Sequence, residues 1–79
     1  MRFTLGELKT GERGRVIGFG QSEKKYRTKL LTMGFIKGTE FAVTRKAPLG
    51  DPVEVEIRGY NLSIRKEEAA TVLVEKVTL

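Results

Sequence analysis

Histidine, cysteine and tryptophan are absent from this 79-residue chain, and proline occurs only twice. Without thiols there is no disulfide and no thiolate nucleophile. Without imidazole there is no histidine general base, and any metal site would have to be assembled from carboxylates alone. Most enzyme chemistry is thereby excluded. No apolar run approaches the roughly 18 residues that a membrane helix needs, and Met1-Arg2-Phe3-Thr4 lacks the basic, apolar, small-residue order of a secretory signal. A cytoplasmic location is the expectation. A chain this short has surface for one hydrophobic core, so residues 1–79 are expected to form a single domain. With 39% hydrophobic and 32% charged residues, it is too apolar for a disordered chain and too charged for a membrane one.

What the chain does have is positive charge, unevenly placed. The formal net charge is +5. Residues 1–37 hold nine basic side chains against Glu7, Glu12 and Glu23, whereas from Thr39 onward six basic residues face seven acidic ones. The positive field therefore belongs to the first half. Nucleic acid, anionic lipid and an acidic protein face are all suitable partners for it.

The apolar pattern changes period along the chain. Thr4-Leu5-Gly6-Glu7 has capping-box spacing and predicts one short helical turn, with Leu5 and Leu8 on one face to plug the end of a small barrel. Val16, Ile17 and Phe19 mark a strand over 13–19, with a bend at Gly18. Ser22 is a suitable N-cap and Glu23 a suitable first-turn acid for a helix over about 22–33. Tyr26, Leu30 and Met33 would form its buried stripe, Gly34 its left-handed end, and Phe35 the residue folding back on it. After Gly38 the period becomes two. Phe41 and Val43, then Val53, Val55 and Ile57, then Leu62 and Ile64, then Thr71 to Val77 read as strands. A turn-rich stretch at Pro48–Pro52, a reversal at Gly59-Tyr60-Asn61 and a helical turn at Glu67–Ala70 connect them. Five short strands in so few residues must curl to bury their apolar faces. The expected fold is mainly β, a small SH3-like five-stranded barrel with an inserted helix and a short N-terminal helical turn, the OB barrel being the near alternative.

No residues look poised for catalysis. The ten carboxylates fall singly on expected wet faces, and the one adjacent pair, Glu67-Glu68, suits the start of a helical turn better than proton transfer. Asp51 between Gly50 and Pro52 reads as a turn residue bonding its own backbone. Neither Gly18-Phe19-Gly20 nor Gly34–Gly38 continues into the Gly-Lys-Ser/Thr of a phosphate loop. No cofactor is expected.

Lys24, Lys25, Arg27 and Lys29 put most of the excess charge on one helix. They read either as an ordinary solvated face or as a patch that steers an acidic partner. Nucleic acid is the weaker variant of the second reading, because Phe19 and Phe41 fall at core positions and only Tyr60 is left to stack on a base. Leu31 lies off the buried stripe. Together with Phe35, Leu49 and Tyr60 it would supply an apolar groove if the fold brought them together.

Four motifs in order carry a resemblance that spans nearly the whole chain. They are Leu5-x-x-Leu8-x-x-Gly11, Lys29-Leu30-Leu31-x-Met33-Gly34-Phe35-x-x-Gly38, Ala47-Pro48-Leu49-Gly50-Asp51-Pro52 and Leu62-x-Ile64-Arg65-x-x-Glu68-Ala69. In these the chain resembles the ferrous iron transport protein A family, FeoA, and the similar SH3-like domain at the carboxyl end of iron-dependent repressors. The chain opens directly into the barrel unit, so the free-standing transport accessory is the expected relative. The resemblance implies a cytosolic, non-enzymatic component of bacterial ferrous iron uptake. Its implied partner is the membrane permease FeoB, whose cytoplasmic domain binds guanine nucleotides, and it would lie at the membrane only through that partner. Iron need not touch the chain. The motif residues are fold determinants, with Gly11, Gly34 and Gly38 as backbone positions and Leu30 and Ile64 as core. Apart from the resemblance, the residues themselves suggest a docking face formed by Lys24, Lys25, Arg27, Lys29, Leu31, Leu49 and Tyr60, and the edges of an open barrel would permit weak self-association.

Overall fold

Period-two alternation builds most of the molecule. The computed structural model describes residues 2–20 and 24–78. In chain order these form β1 (Phe3–Thr4), a single 3-10 turn (Leu5–Glu7), β2 (Arg13–Phe19), α1 (Lys24–Thr32), β3 (Glu40–Lys46), β4 (Val53–Ile57), β5 (Tyr60–Ile64), α2 (Lys66–Ala69) and β6 (Val72–Val77). The five expected strands are all present. A sixth, β1, comes from Phe3 and Thr4 pairing with Val74 and Leu73, a two-residue match too short to leave a periodic signal. The expected caps Ser22 and Glu23 lie outside the described residues.

All strands pair antiparallel in the order β1-β6-β2-β3-β4-β5. Two register shifts curl the sheet, one between Val16 and Gly18 where β2 meets β6, the other between Val43 and Arg45 where β3 meets β4. The bend expected at Gly18 is thus a β-bulge, and Ile17 is its extra residue. Curling lets the inward faces meet in one core. Val53, Val55 and Ile57 are buried while Glu54 and Glu56 between them are not, and Phe41, Val43, Val72 and Val74 follow the same rule. Leu5 and Leu8 are fully buried and close one end, as the 3-10 turn is held by the Thr4 N–H donating to Glu7 Oε1 at 2.7 Å.

The core dictates one glycine by space alone. A Cβ on Gly14 would stand 2.6 Å from Phe41 Cζ and 3.1 Å from Leu8 Cδ1, so β2 passes too close to the Phe41 ring for any side chain. Phe41 in turn packs on Phe35, centroids 6.3 Å apart and tilted by 59°.

Phe35 is where α1 is fastened. Gly34 has φ +105°, the Phe35 N–H donates to Leu30 O at 3.0 Å and the Gly34 N–H to Leu31 O at 3.1 Å. That pair of bonds is a Schellman ending, and Leu30 and Phe35, both fully buried, make its apolar contact. Of the expected stripe Leu30 is core, Met33 packs partly buried against it and Tyr26 is half-buried. The β4–β5 reversal falls one residue earlier than expected. Arg58 (φ +53°) and Gly59 (φ +84°) form a two-residue turn closed by Ile57 and Tyr60, so Tyr60 begins a strand. Both central residues at positive φ are the mark of a type I′ turn, whose twist matches that of the strands it joins.

Candidate protein-interaction face

The basic helix is set against α2 by one ion pair. Glu68 is only 2% exposed, and Lys29 Nζ lies 2.8 Å from its Oε2. Glu68 Oε1 accepts the Arg65 N–H at 3.1 Å. Burial by itself would push the Glu68 carboxyl up, but the Lys29 ammonium and the Arg65 N–H outweigh it and hold the group below its usual range. The first turn of α2 is completed from outside, because Asp51 Oδ1 accepts the Lys66 N–H at 3.1 Å. Asp51 therefore caps a distant helical turn, where a bond to its own loop was expected, and Glu68 is a buried anchor more than a partner of the helix dipole. Arg65 and Glu68 stand three apart, a capping interval that is legible in the sequence once the helical turn is known to start at Lys66.

Between α1 and α2 this pairing leaves a cleft of about 300 Å³, lined by Lys25, Tyr26, Lys29, Arg65, Glu67 and Glu68. Lys24, Lys25, Arg27 and Lys29 are all exposed, yet they are not equivalent. Lys29 is committed to Glu68, and Lys25 Nζ sits 5.3 Å from the centroid of the Tyr26 ring. Lys24 and Arg27 have no ion-pair partner among the described residues and project the charge outward. Arg65 joins them across the cleft, an addition that only the α1–α2 contact reveals.

The expected apolar set is divided by the fold. Leu31 is 43% exposed, Tyr60 72% and Leu49 86%, but Phe35 is fully buried and contributes no surface. Leu49 lies in the β3–β4 connection beside Val53, whereas Tyr60 pairs with Ile57 at the other end of β4. Four residue steps at ~3.3 Å each separate those ends by about 13 Å. Tyr60 lines a cleft with Thr32 and Met33, so it lies at the end of α1 and away from Leu49. Ile36, 43% exposed just beyond the helix, extends the apolar surface there and was not singled out by the sequence. Its position after a buried Phe35 at a turn is the signal that could have found it.

Much of the remaining charge is spent inside the molecule. Arg15 in β2 reaches Glu75 Oε1 of β6 at 2.6 Å and Glu40 Oε2 of β3 at 3.1 Å. Those two carboxylates, Glu75 foremost, raise the pKa of the guanidinium. Lys76 Nζ pairs with Glu12 Oε2 at 3.0 Å and lies 4.6 Å from the Phe3 ring centroid. The Lys9 N–H first, then Lys76, holds the Glu12 carboxyl below its usual range. Among the described residues no group of three or more Asp or Glu is placed to hold a metal ion, and no helix is long and apolar enough to cross a membrane.

The whole is a curled antiparallel sheet with one basic helix fastened to it. Known proteins share this arrangement. Over 74 residues the chain is 38% identical to an Fe(2+) transport protein A/Fe(2+) transporter FeoB fusion protein of Porphyromonas gingivalis, covering 94% of this chain but only 9% of that protein. The solution structure of an FeoA-like protein from Clostridium acetobutylicum superposes with a TM-score of 0.88 at 41% identity, covering 99% of this chain and 90% of the other. The crystal structure of Stenotrophomonas maltophilia FeoA complexed with zinc, described as an SH3 domain protein, matches with a TM-score of 0.80 at 28% identity, over 92% of this chain and 89% of that one. The expected SH3-like class is thereby met, with a sixth short strand. The family model for the FeoA domain matches residues 3–76, nearly the whole of the curled sheet and both helices, and the chain belongs to the FeoA domain family.

Proposed function

We propose that this chain is a non-enzymatic accessory of ferrous iron transport that acts by contact with the cytoplasmic part of an FeoB-type permease. The observation that carries the reading is the Porphyromonas gingivalis relative, in which a unit 38% identical to this chain is joined to FeoB in one polypeptide. Covalent joining fixes two partners at high effective concentration, which is useful when the two must touch repeatedly. The composition of the chain agrees, since a chain without histidine or cysteine lacks the nitrogen and sulfur side-chain ligands that favour ferrous iron, and suits contact better than carrying the ion.

The docking face in this proposal is α1 with its flanking turns. Lys24, Lys25 and Arg27 steer an acidic partner, Lys29 holds the helix in place while adding to the field, and Leu31 and Tyr60 make the apolar contact. A partner that also touched Leu49 would have to reach around the β3–β4 hairpin. Titrating the isotope-labelled chain with the cytoplasmic part of FeoB tests this. Shifts are expected over residues 24–36 and at Tyr60, and shifts restricted to the β2–β6 wall would reject the face. Steeply salt-dependent binding to RNA or DNA with no binding to FeoB would instead favour a nucleic-acid module.

A further inference from the structure

One edge strand of the sheet carries neither charge nor proline. β5 stands at the end of the strand order with β4 as its neighbour. Its pairing starts from the closing pair Ile57 and Tyr60 of a two-residue hairpin, a pair that exchanges hydrogen bonds in such turns. Alternation then turns the N–H and C=O groups of Leu62 and Ile64 toward β4 and those of Asn61 and Ser63 away from the sheet. Both of these residues are exposed. Tyr60–Ile64 contains no charged residue and no proline, the devices that ordinarily keep an edge from pairing with another chain. The opposite edge, β1, is blunted by being two residues long.

Beside the β5 edge lies a cleft of about 300 Å³. Thr32, Met33 and Gly34 at the end of α1 form one wall, with Ile57, Tyr60 and Leu62 opposite. Among the described residues that line it, Arg58 is the one that is charged. Outward backbone groups and an apolar slot therefore run side by side, the arrangement that receives a strand with alternate side chains buried. Charge selects the occupant. A second copy of this chain would set one net +5 surface against another, whereas an acidic segment would meet Arg58 and the positive field of α1 favourably.

We propose that an extended, acidic-flanked segment of a partner protein adds to β5 as a further strand. It bonds the backbone of Asn61 and Ser63, places an apolar side chain against Met33 and Leu62, and sets a carboxylate at Arg58. This surface shares Tyr60 and the end of α1 with the docking face proposed above, but its strand-pairing groups on β5 do not belong to the charged face of α1. Its test uses no permease, so either proposal can fail without the other.

The probe is the capped peptide Glu-Asp-Val-Thr-Val-Thr-Val-Asp-Glu added to the isotope-labelled full chain. Amide exchange at Asn61 and Ser63 is expected to slow at least tenfold on saturation, with the Met33 methyl resonance shifting. Two control peptides, N-methylated at every valine or at every threonine, separate strand pairing from simple apolar contact. A strand uses one edge, so one control is expected to lose binding at least tenfold and the other to retain it. Ser63→Pro, which removes a donor at an outward position where an edge strand tolerates proline, is expected to weaken the parent peptide at least tenfold. Equal binding of both controls, no binding at millimolar peptide, shifts confined to residues 24–29, or protection of Asn61 and Ser63 by self-association without peptide would each overturn the proposal.

Discussion

Gly14 is required because of what it faces, and its backbone asks for nothing unusual. Placing a methyl group 2.6 Å from the Phe41 ring forces the ring or β2 to move, so Gly14→Ala is expected to cost about 1–3 kcal/mol in chemical denaturation; an unchanged midpoint would show that the contact is loose. Glu68 makes a second prediction at this scale. Its carboxyl titrates below the usual range in the folded chain and near ~4.3 in the unfolded one, so ionised Glu68 favours the folded state. That contribution is complete above about pH 5 and is lost as pH falls through the unfolded and then the folded value. Relative to Glu68→Gln, the wild-type advantage is expected to shrink between pH 7 and pH 3, and a difference constant with pH would remove the ion pair from the account. Neither residue could be read from its neighbours. Gly14 looks like any strand glycine, and Glu68 looks like half of a surface pair, until Phe41 and Lys29 arrive from elsewhere in the chain.

The elements carry their own signals more openly. α1 was legible from its stripe and from Gly34-Phe35, because a helix ending depends on residues within one turn of each other. Gly34 has φ +105° with open space around it, the nearest atom to a built Cβ being Ile57 Cγ2 at 3.9 Å. The cost of Gly34→Ala is thus conformational, about 1–2 kcal/mol, and should appear in thermal unfolding without a change in the position of the core resonances. The β4–β5 turn runs the other way. Arg58 occupies a positive φ that suits asparagine or glycine, and Arg58→Asn is expected to stabilise the chain by about 0.5–1 kcal/mol; a loss of stability would mean that the guanidinium makes a compensating contact. The sequence suggested a reversal here but set it at Gly59-Tyr60-Asn61. Glycine announces a turn without saying which of its central positions it fills, and the register of β4 against β5 decides that.

At the scale of the molecule, charge is the property that folding rearranges most. Along the chain the basic residues crowd the first half. In space Arg15 is matched by Glu75 and Glu40, 60 and 25 residues away, Lys29 by Glu68 and Lys76 by Glu12, which leaves Lys24 and Arg27 as the outward field of α1. If that field steers docking, Lys24→Glu with Arg27→Glu is expected to slow association with the cytoplasmic part of FeoB at least tenfold at low salt, with little effect near 0.5 M, where screening is nearly complete. Both side chains are exposed, so the melting temperature should hold. An association rate indifferent to salt would assign the contact to apolar residues alone.

The period of the strands, the stripe and end of α1, and the lack of reactive side chains follow from the sequence, because each depends on residues a few positions apart or on composition. Which charges remain available, where Tyr60 and Leu49 fall relative to each other, and which strand edge is left open were decided by the tertiary structure. Those properties depend on distances between residues remote along the chain, and the curl and register of the sheet set those distances.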